Sequence, residues 1–148
     1  DFRLGSYGLT HAFRSAQERF GMMDSRRVRT GPRSRDRIAP GEVLAMHWTT
    51  WSFIEAELAR LQDGPTVVVT HHAPHPVSLL NPHADLAWCY ALDLSELILD
   101  RGPDIWNHGH VHEAINYMVG RTRVICNARG HVDESSCFAS GMAVKVQP

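Results

Sequence analysis

Two short apolar runs, Thr66-Val67-Val68-Val69-Thr70 and Asp104-Ile105-Trp106-Asn107, constrain the fold of this chain most. The first is β-branched throughout, and side chains stiff at χ1 favour a pleated strand. Its unbroken run of valines predicts a strand covered on both faces. The second run reads as another buried strand. Between them, Leu86 to Leu99 carries Leu92, Leu94, Leu97 and Ile98 in a helical pattern, closed by Gly102-Pro103. Upstream, Pro40 suits a first helical position. Leu44, His47, Trp48, Trp51, Ile54, Leu58 and Leu61 then mark i, i+3, i+4 steps up to Gly64-Pro65, with Trp48 and Trp51 expected in the core. Gly8 to Met23 has the same spacing, and residues 1–4 read as the tail of a strand. Downstream, Ala114 to Met118 and Thr122 to Asn127 flank Val119-Gly120-Arg121, which predicts a hairpin. Met142 to Val146 predicts a last strand. This order of elements predicts an α/β or α+β class, with strands packed between helices in a single domain over residues 1–148.

Length and charge narrow the function classes. A chain of 148 residues can bury a real core, and 43% apolar with 21% charged residues is globular rather than disordered. A formal net charge of −1 argues against a generally basic nucleic-acid binder and against a strongly acidic solvating chain. No apolar run approaches the roughly 20 residues of a membrane span. The start at Asp1 has neither the basic nor the apolar region of a signal peptide and reads as the middle of a strand. Cys89, Cys126 and Cys137 are odd in number and widely spaced, so a disulfide framework is not expected and a cytoplasmic setting is. Arg26 to Arg37, with six Arg, Gly31 and Pro32, reads as an exposed connection.

Ten His stand out, because imidazole is the commonest protein metal ligand. They concentrate in two segments, His71-His72-Ala73-Pro74-His75-Pro76 and Asn107-His108-Gly109-His110-Val111-His112-Glu113. Each follows a predicted strand, and α/β folds place ligands at strand ends. In an extended stretch His110 and His112 project to one side. Gly109 permits a tight turn and close approach, and His71 can add a third nitrogen. Three such imidazoles can hold a metal with open positions for water. His72 and His108 are expected to orient their neighbours. His75 and His83 read as solvated, and His11, His47 and His131 as surface or packing groups.

At His71-His72-Ala73-Pro74 and Gly109-His110-Val111-His112, the sequence resembles the calcineurin-like metallophosphoesterases. That family carries a His, often followed by His or Ser and then Pro, at one strand end, and Gly-His-x-His at another. The stretch from Asn116-Tyr117 to Asn127-Ala128-Arg129-Gly130 resembles its closing hairpin, so the likeness covers roughly residues 66–130. The resemblance implies a four-layer α/β/β/α sandwich with a two-metal site. It implies that His71 and His110 bind one ion and His112 the other, with His72, His108, Asn107 and Arg129 as supporting or substrate-contacting groups. The ions would be drawn from Mn, Fe, Zn or Ni. The implied reaction is hydrolysis of phosphate mono- or diesters of small molecules or nucleotides by a metal-bound hydroxide.

The family's first half carries Asp-x-His, Gly-Asp-x-x-Asp and Gly-Asn-His-Asp or -Glu, and none of these occurs here. The only Asn-His, Asn107-His108, abuts the Gly-His-x-His, so no residue is assigned as the catalytic acid. The bridging carboxylate is also missing. Asp104 sits at the wrong end of its strand to replace it. The chain is therefore expected to be the C-terminal half of such an enzyme, with a missing N-terminal half or a second copy as partner. Two alternatives remain. One is a non-catalytic metal- or phosphate-binding module that lacks the bridging carboxylate. The other is a mononuclear His-type hydrolase acting on C–O or C–N bonds.

Overall fold

Backbone pairing follows the two apolar runs. Val67–Thr70 (β1) and Ile105–His108 (β2) pair in parallel, with Val67 opposite Ile105 and Thr70 opposite His108. Ala114–Val119 (β3) and Thr122–Asn127 (β4) form the expected hairpin around Gly120-Arg121. Gly120 takes φ +56 there, a left-handed conformation that glycine adopts without a Cβ penalty. β4 also runs parallel to β2, so the sheet order is β1-β2-β4-β3. The structure, a computed structural model, describes residues 24–31, 35–60, 63–80, 86–134 and 136–146. The helix expected at Gly8 to Met23, the strand tail at 1–4, His11 and His83 lie outside the described residues.

Helices Asp24–Arg27 (α1, a single turn), Pro40–Arg60 (α2) and Ser95–Arg101 (α3) complete a small mixed α/β fold. α2 starts as its sequence requires. Pro40 opens it, and the Glu42 carboxylate accepts the Ala39 N–H at 2.7 Å, satisfying a donor the helix cannot. Register puts Val68, Trp106 and Val124 on one sheet face. Ile54 and Leu58 of α2 and Leu97 and Ile98 of α3 pack on that face in one cluster around the fully buried Trp106. The Trp106 indole N–H also donates to Thr70 Oγ1 at 2.9 Å. Trp51 joins this cluster, whereas Trp48 is 56% exposed, contrary to expectation. The buried residues of α2 beyond Pro40 lie in its C-terminal half, and among the described residues none packs over the half that carries Trp48.

Other expectations are corrected. Among the described residues β1 is an edge strand with one face open: Val67 and Val69 are 49% and 70% exposed. Met142, Val144 and Val146 line a cavity of about 460 Å³ on that open face with Val67, Ile105 and Ile125. Residues 142–146 thus lie against the sheet face rather than in its plane, and form no strand. Leu86 to Leu99 is not one helix. Ala87–Cys89 makes a 3₁₀ turn, and regular helix begins only at Ser95. Between them the backbone is committed elsewhere: Ala73 N–H donates to Tyr90 C=O, and Leu92 and Leu94 donate to Ala73 and Pro74. Gly102 ends α3 with its N–H on Ile98 C=O at 2.8 Å. Among the described residues no helix is long and apolar enough to cross a membrane.

Candidate metal centre

The parallel register sets the ends of β1 and β2 level, so the loops leaving them meet. The Gly109 N–H donates to His71 C=O at 3.0 Å, locking His71 beside the segment that carries His110. His110 then takes φ +60, and the Val111 N–H closes a three-residue turn onto Gly109 C=O at 2.7 Å. A side chain at positive φ is strained, and such strain is concentrated at functional sites. The turn brings His110 against both members of the first motif. Ring centroids of His71 and His110 are 4.7 Å apart, those of His72 and His110 4.7 Å, and those of His71 and His72 5.4 Å. Tyr90 stacks on His110 at 4.6 Å with the planes 28° apart. The Tyr90 carbonyl is itself held by Ala73 N–H at 3.0 Å, so this aromatic wall is fixed to the strand-end loop.

These spacings suit a cation. Two imidazoles sharing one ion at an ordinary metal–nitrogen length have centroids about 5 Å apart. The His71 and His110 centroids, 4.7 Å apart, are near that spacing, and His110 Nε2 is shielded from bulk solvent. Among the described residues, however, the three imidazoles of His71, His72 and His110 do not form a group with all donor atoms within 4.8 Å of one another.

His108 and Asn107, expected as supporting residues, point to opposite sides of β2. His108 is 3% exposed, and its Nε2 lies 2.9 Å from Ser78 Oγ, which lies 2.8 Å from the Tyr117 hydroxyl. Its Nδ1 is 2.9 Å from Gly109 C=O. A carbonyl only accepts, so Nδ1 carries the proton. Burial pushes the His108 pKa down, which keeps the ring neutral and makes Nε2 an acceptor. Ser78 therefore donates to His108 and accepts from Tyr117. Gly109 C=O is held from both sides, by the His108 ring and by Val111 N–H, and with it the turn bearing His110. Asn107 is exposed and lines the cavity on the open face. Arg129 is exposed, and its carbonyl accepts from Ser136 Oγ at 2.7 Å. Asp104 accepts the Thr66 N–H at 2.7 Å, a structural use at the far end of β2.

His112 has different company. Its Nδ1 lies 2.5 Å from Glu134 Oε2, and its ring meets His131 edge-on with centroids 4.8 Å apart. The Glu134 carboxylate also accepts the His131 N–H at 2.8 Å. The His131 amide first, and then the His112 imidazole, hold the Glu134 pKa below the usual carboxylate value. Among the described residues, the group of three or more candidate ligands whose donor atoms all lie within 4.8 Å is His112, His131 and Glu134. The structure thus joins His71 to His110, adds His72, and gives His112 a separate set. His131, expected as a surface or packing group, instead sits with His112, and Glu134 was not singled out from sequence. The only available signal was their i, i+3 spacing in the loop after the hairpin.

Comparison with family models, with curated proteins and with solved structures returned no match.

Proposed function

We propose that this chain carries metal-ligating machinery of a phosphoesterase resembling the calcineurin-like enzymes, acting on phosphate mono- or diesters of small molecules or nucleotides in the cytoplasm. The observation that carries the reading is the meeting of His71, His72 and His110 at the tips of two parallel strands, with His110 held at positive φ. His71 and His110 hold one divalent ion, from Mn, Fe, Zn or Ni, and His112 contributes to a second. When bound, such ions polarise phosphoryl oxygens and lower the pKa of coordinated water. The chain's own residues do the rest. Tyr90 packs against His110 and limits its rotation. The chain of hydrogen bonds from Tyr117 through Ser78 to His108 fixes the turn that aims His110. Arg129 and Asn107 are exposed and available to a phosphate ester. In this reading the part of the sheet face left exposed at Val67 and Val69, beside residues 142–146, receives the second sheet of an α/β/β/α sandwich, supplied by other polypeptide or by a second copy.

The test is metal-dependent hydrolysis of p-nitrophenyl phosphate and bis-p-nitrophenyl phosphate by the chain supplied with Mn²⁺. His71→Ala and His110→Ala should each abolish turnover and Mn²⁺ binding at this site. Turnover that survives these substitutions, or a count of bound Mn²⁺ per chain that neither of them lowers, overturns the reading.

A non-catalytic cation-binding module is the second reading. It is favoured by the absence, among the described residues, of a carboxylate joining the His71–His110 pair in a ligand group. It predicts the same loss of Mn²⁺ binding and no turnover by the unsubstituted chain.

A further inference from the structure

We infer that His112, His131 and Glu134 form a self-contained divalent-cation site, completed by the loop after β4. The inference shares His112 with the reading above and stands without it. The donor atoms of the three side chains already lie within 4.8 Å of one another. Donors around one ion at about 2.1 Å sit roughly 3.4 Å apart in a tetrahedron. Small side-chain rotations reach that arrangement. The His112 and His131 ring centroids, 4.8 Å apart, already match the ~5 Å expected of two imidazoles on one ion.

The loop is built to hold these groups. Gly130 adopts φ +72, and a Cβ there would come within 2.8 Å of Glu134 Oε2 and 3.4 Å of His112 Cβ. The positive φ favours glycine, and any larger residue would push the Glu134 carboxylate away from His112. Ser136, 3% exposed, ties the loop back through its bond to Arg129 C=O at 2.7 Å. Asn127 grips Ala139 twice, accepting its N–H at 2.9 Å and donating to its C=O at 3.0 Å. Glu134 N–H bonds His131 C=O at 3.1 Å, while the Glu134 carboxylate receives the His131 N–H at 2.8 Å, so the two ligands of the loop are fixed relative to each other.

The chemistry of the donor set names the ligand class. Two imidazoles with one carboxylate suit Zn²⁺ and the neighbouring first-row ions rather than Mg²⁺ or Ca²⁺, which take oxygen ligands. The His112 and Glu134 side chains are 35% and 43% exposed, so an ion here keeps positions open to water or an anion. Glu134 also supplies within this chain a negative charge that the His71–His110 pair lacks.

The experiment uses the full chain stripped with chelator and titrated with Co²⁺, whose visible absorption reports the ligand field, followed by displacement with Zn²⁺. The unsubstituted chain should bind Co²⁺ and release it to Zn²⁺. His131→Ala and Glu134→Gln should each weaken this by more than the roughly 10–100-fold that loss of an outer hydrogen-bond partner costs. Both side chains are exposed, so these variants should keep the parent's circular dichroism and melting profile in chelator. His71→Ala should retain the site. Cation binding without any phosphoester turnover supports this site and counts against the phosphoesterase reading. Equal Co²⁺ and Zn²⁺ affinity in the unsubstituted chain and in the folded His131→Ala/Glu134→Gln double variant overturns it.

Discussion

Replacing Ser78 with Ala tests the hydrogen-bond chain beneath the His110 turn. Ser78 is 1% exposed, and its hydroxyl lies 2.9 Å from His108 Nε2 and 2.8 Å from the Tyr117 hydroxyl. Alanine fits the space and strands both partners. A buried polar group left unsatisfied costs about 1–3 kcal/mol. His108, at 3% exposed, falls toward the upper part of that range, and the half-buried Tyr117 toward the lower. The expected loss is about 2–4 kcal/mol, or a fall in Tm of roughly 5–15 °C for a chain of this size. Tyr117→Phe alone leaves Ser78 donating to His108 and should cost about 1 kcal/mol. In the double variant no tyrosine hydroxyl remains to be stranded, so the combined loss should fall short of the sum by about 1 kcal/mol. Thermal and urea denaturation of the four proteins, followed by circular dichroism, gives these numbers. Divalent-metal affinity should fall in Ser78→Ala as well, because Gly109 C=O loses its oriented partner. A loss under about 0.5 kcal/mol for Ser78→Ala, or strict additivity in the double variant, refutes the reasoning.

Gly102→Ala should be severely destabilising, by about 3 kcal/mol or more, because a Cβ there would lie 2.2 Å from both Ile98 O and Thr122 Oγ1. Its contrast is Gly41→Ala, where nothing among the described residues lies within 4 Å and helix propensity predicts a gain of up to ~1 kcal/mol. Melting curves separate the two. Burial lowers the pKa of His47, His75 and His108 from 6.5, Asp93 partly opposing this at His75 and the Gly109 carbonyl at His108. Each therefore favours the fold when neutral. Their contribution is complete above pH 6.5 and declines as pH falls through the interval below it. His47→Gln should make stability less steeply dependent on pH in that interval, and urea midpoints measured on both sides of it check this. Gly130→Val, at φ +72 beside Glu134, should lower Zn²⁺ affinity and also cost stability, read by titration and by melting in chelator.

How much was legible in the sequence depended on how local the cause was. The valine run, the Ile105-Trp106 run, the hairpin and the opening of α2 at Pro40 are set by side-chain shape and turn chemistry within a few residues. Their boundaries fall within a residue or two of expectation. Leu86 to Leu99 misled because its periodicity is local, whereas the backbone bonds from Ala73 and Pro74 to residues 90–94 are not. Met142 to Val146 has the composition of a strand, yet a strand also needs a free edge, and this segment lies over the sheet face. Trp48 followed the helical stripe correctly and is exposed because nothing described covers that half of α2. At the site, adjacency of His71 and His110 was legible because two parallel strands must end side by side. The partners of His112 were not. His131 and Glu134 reach it only through a loop whose path depends on Gly130, Ser136 and Asn127, and no short motif encodes that path.

The central claim is that imidazoles brought together by the strand ends hold divalent cations. Equilibrium dialysis of the chelator-stripped chain against Zn²⁺ or Mn²⁺, with metal counted per chain, tests it most directly. The account predicts about two tightly held ions per chain, one lost in His110→Ala and the other in His131→Ala/Glu134→Gln. A folded chain that retains no metal, or one whose metal content is unchanged by all of these substitutions, contradicts it.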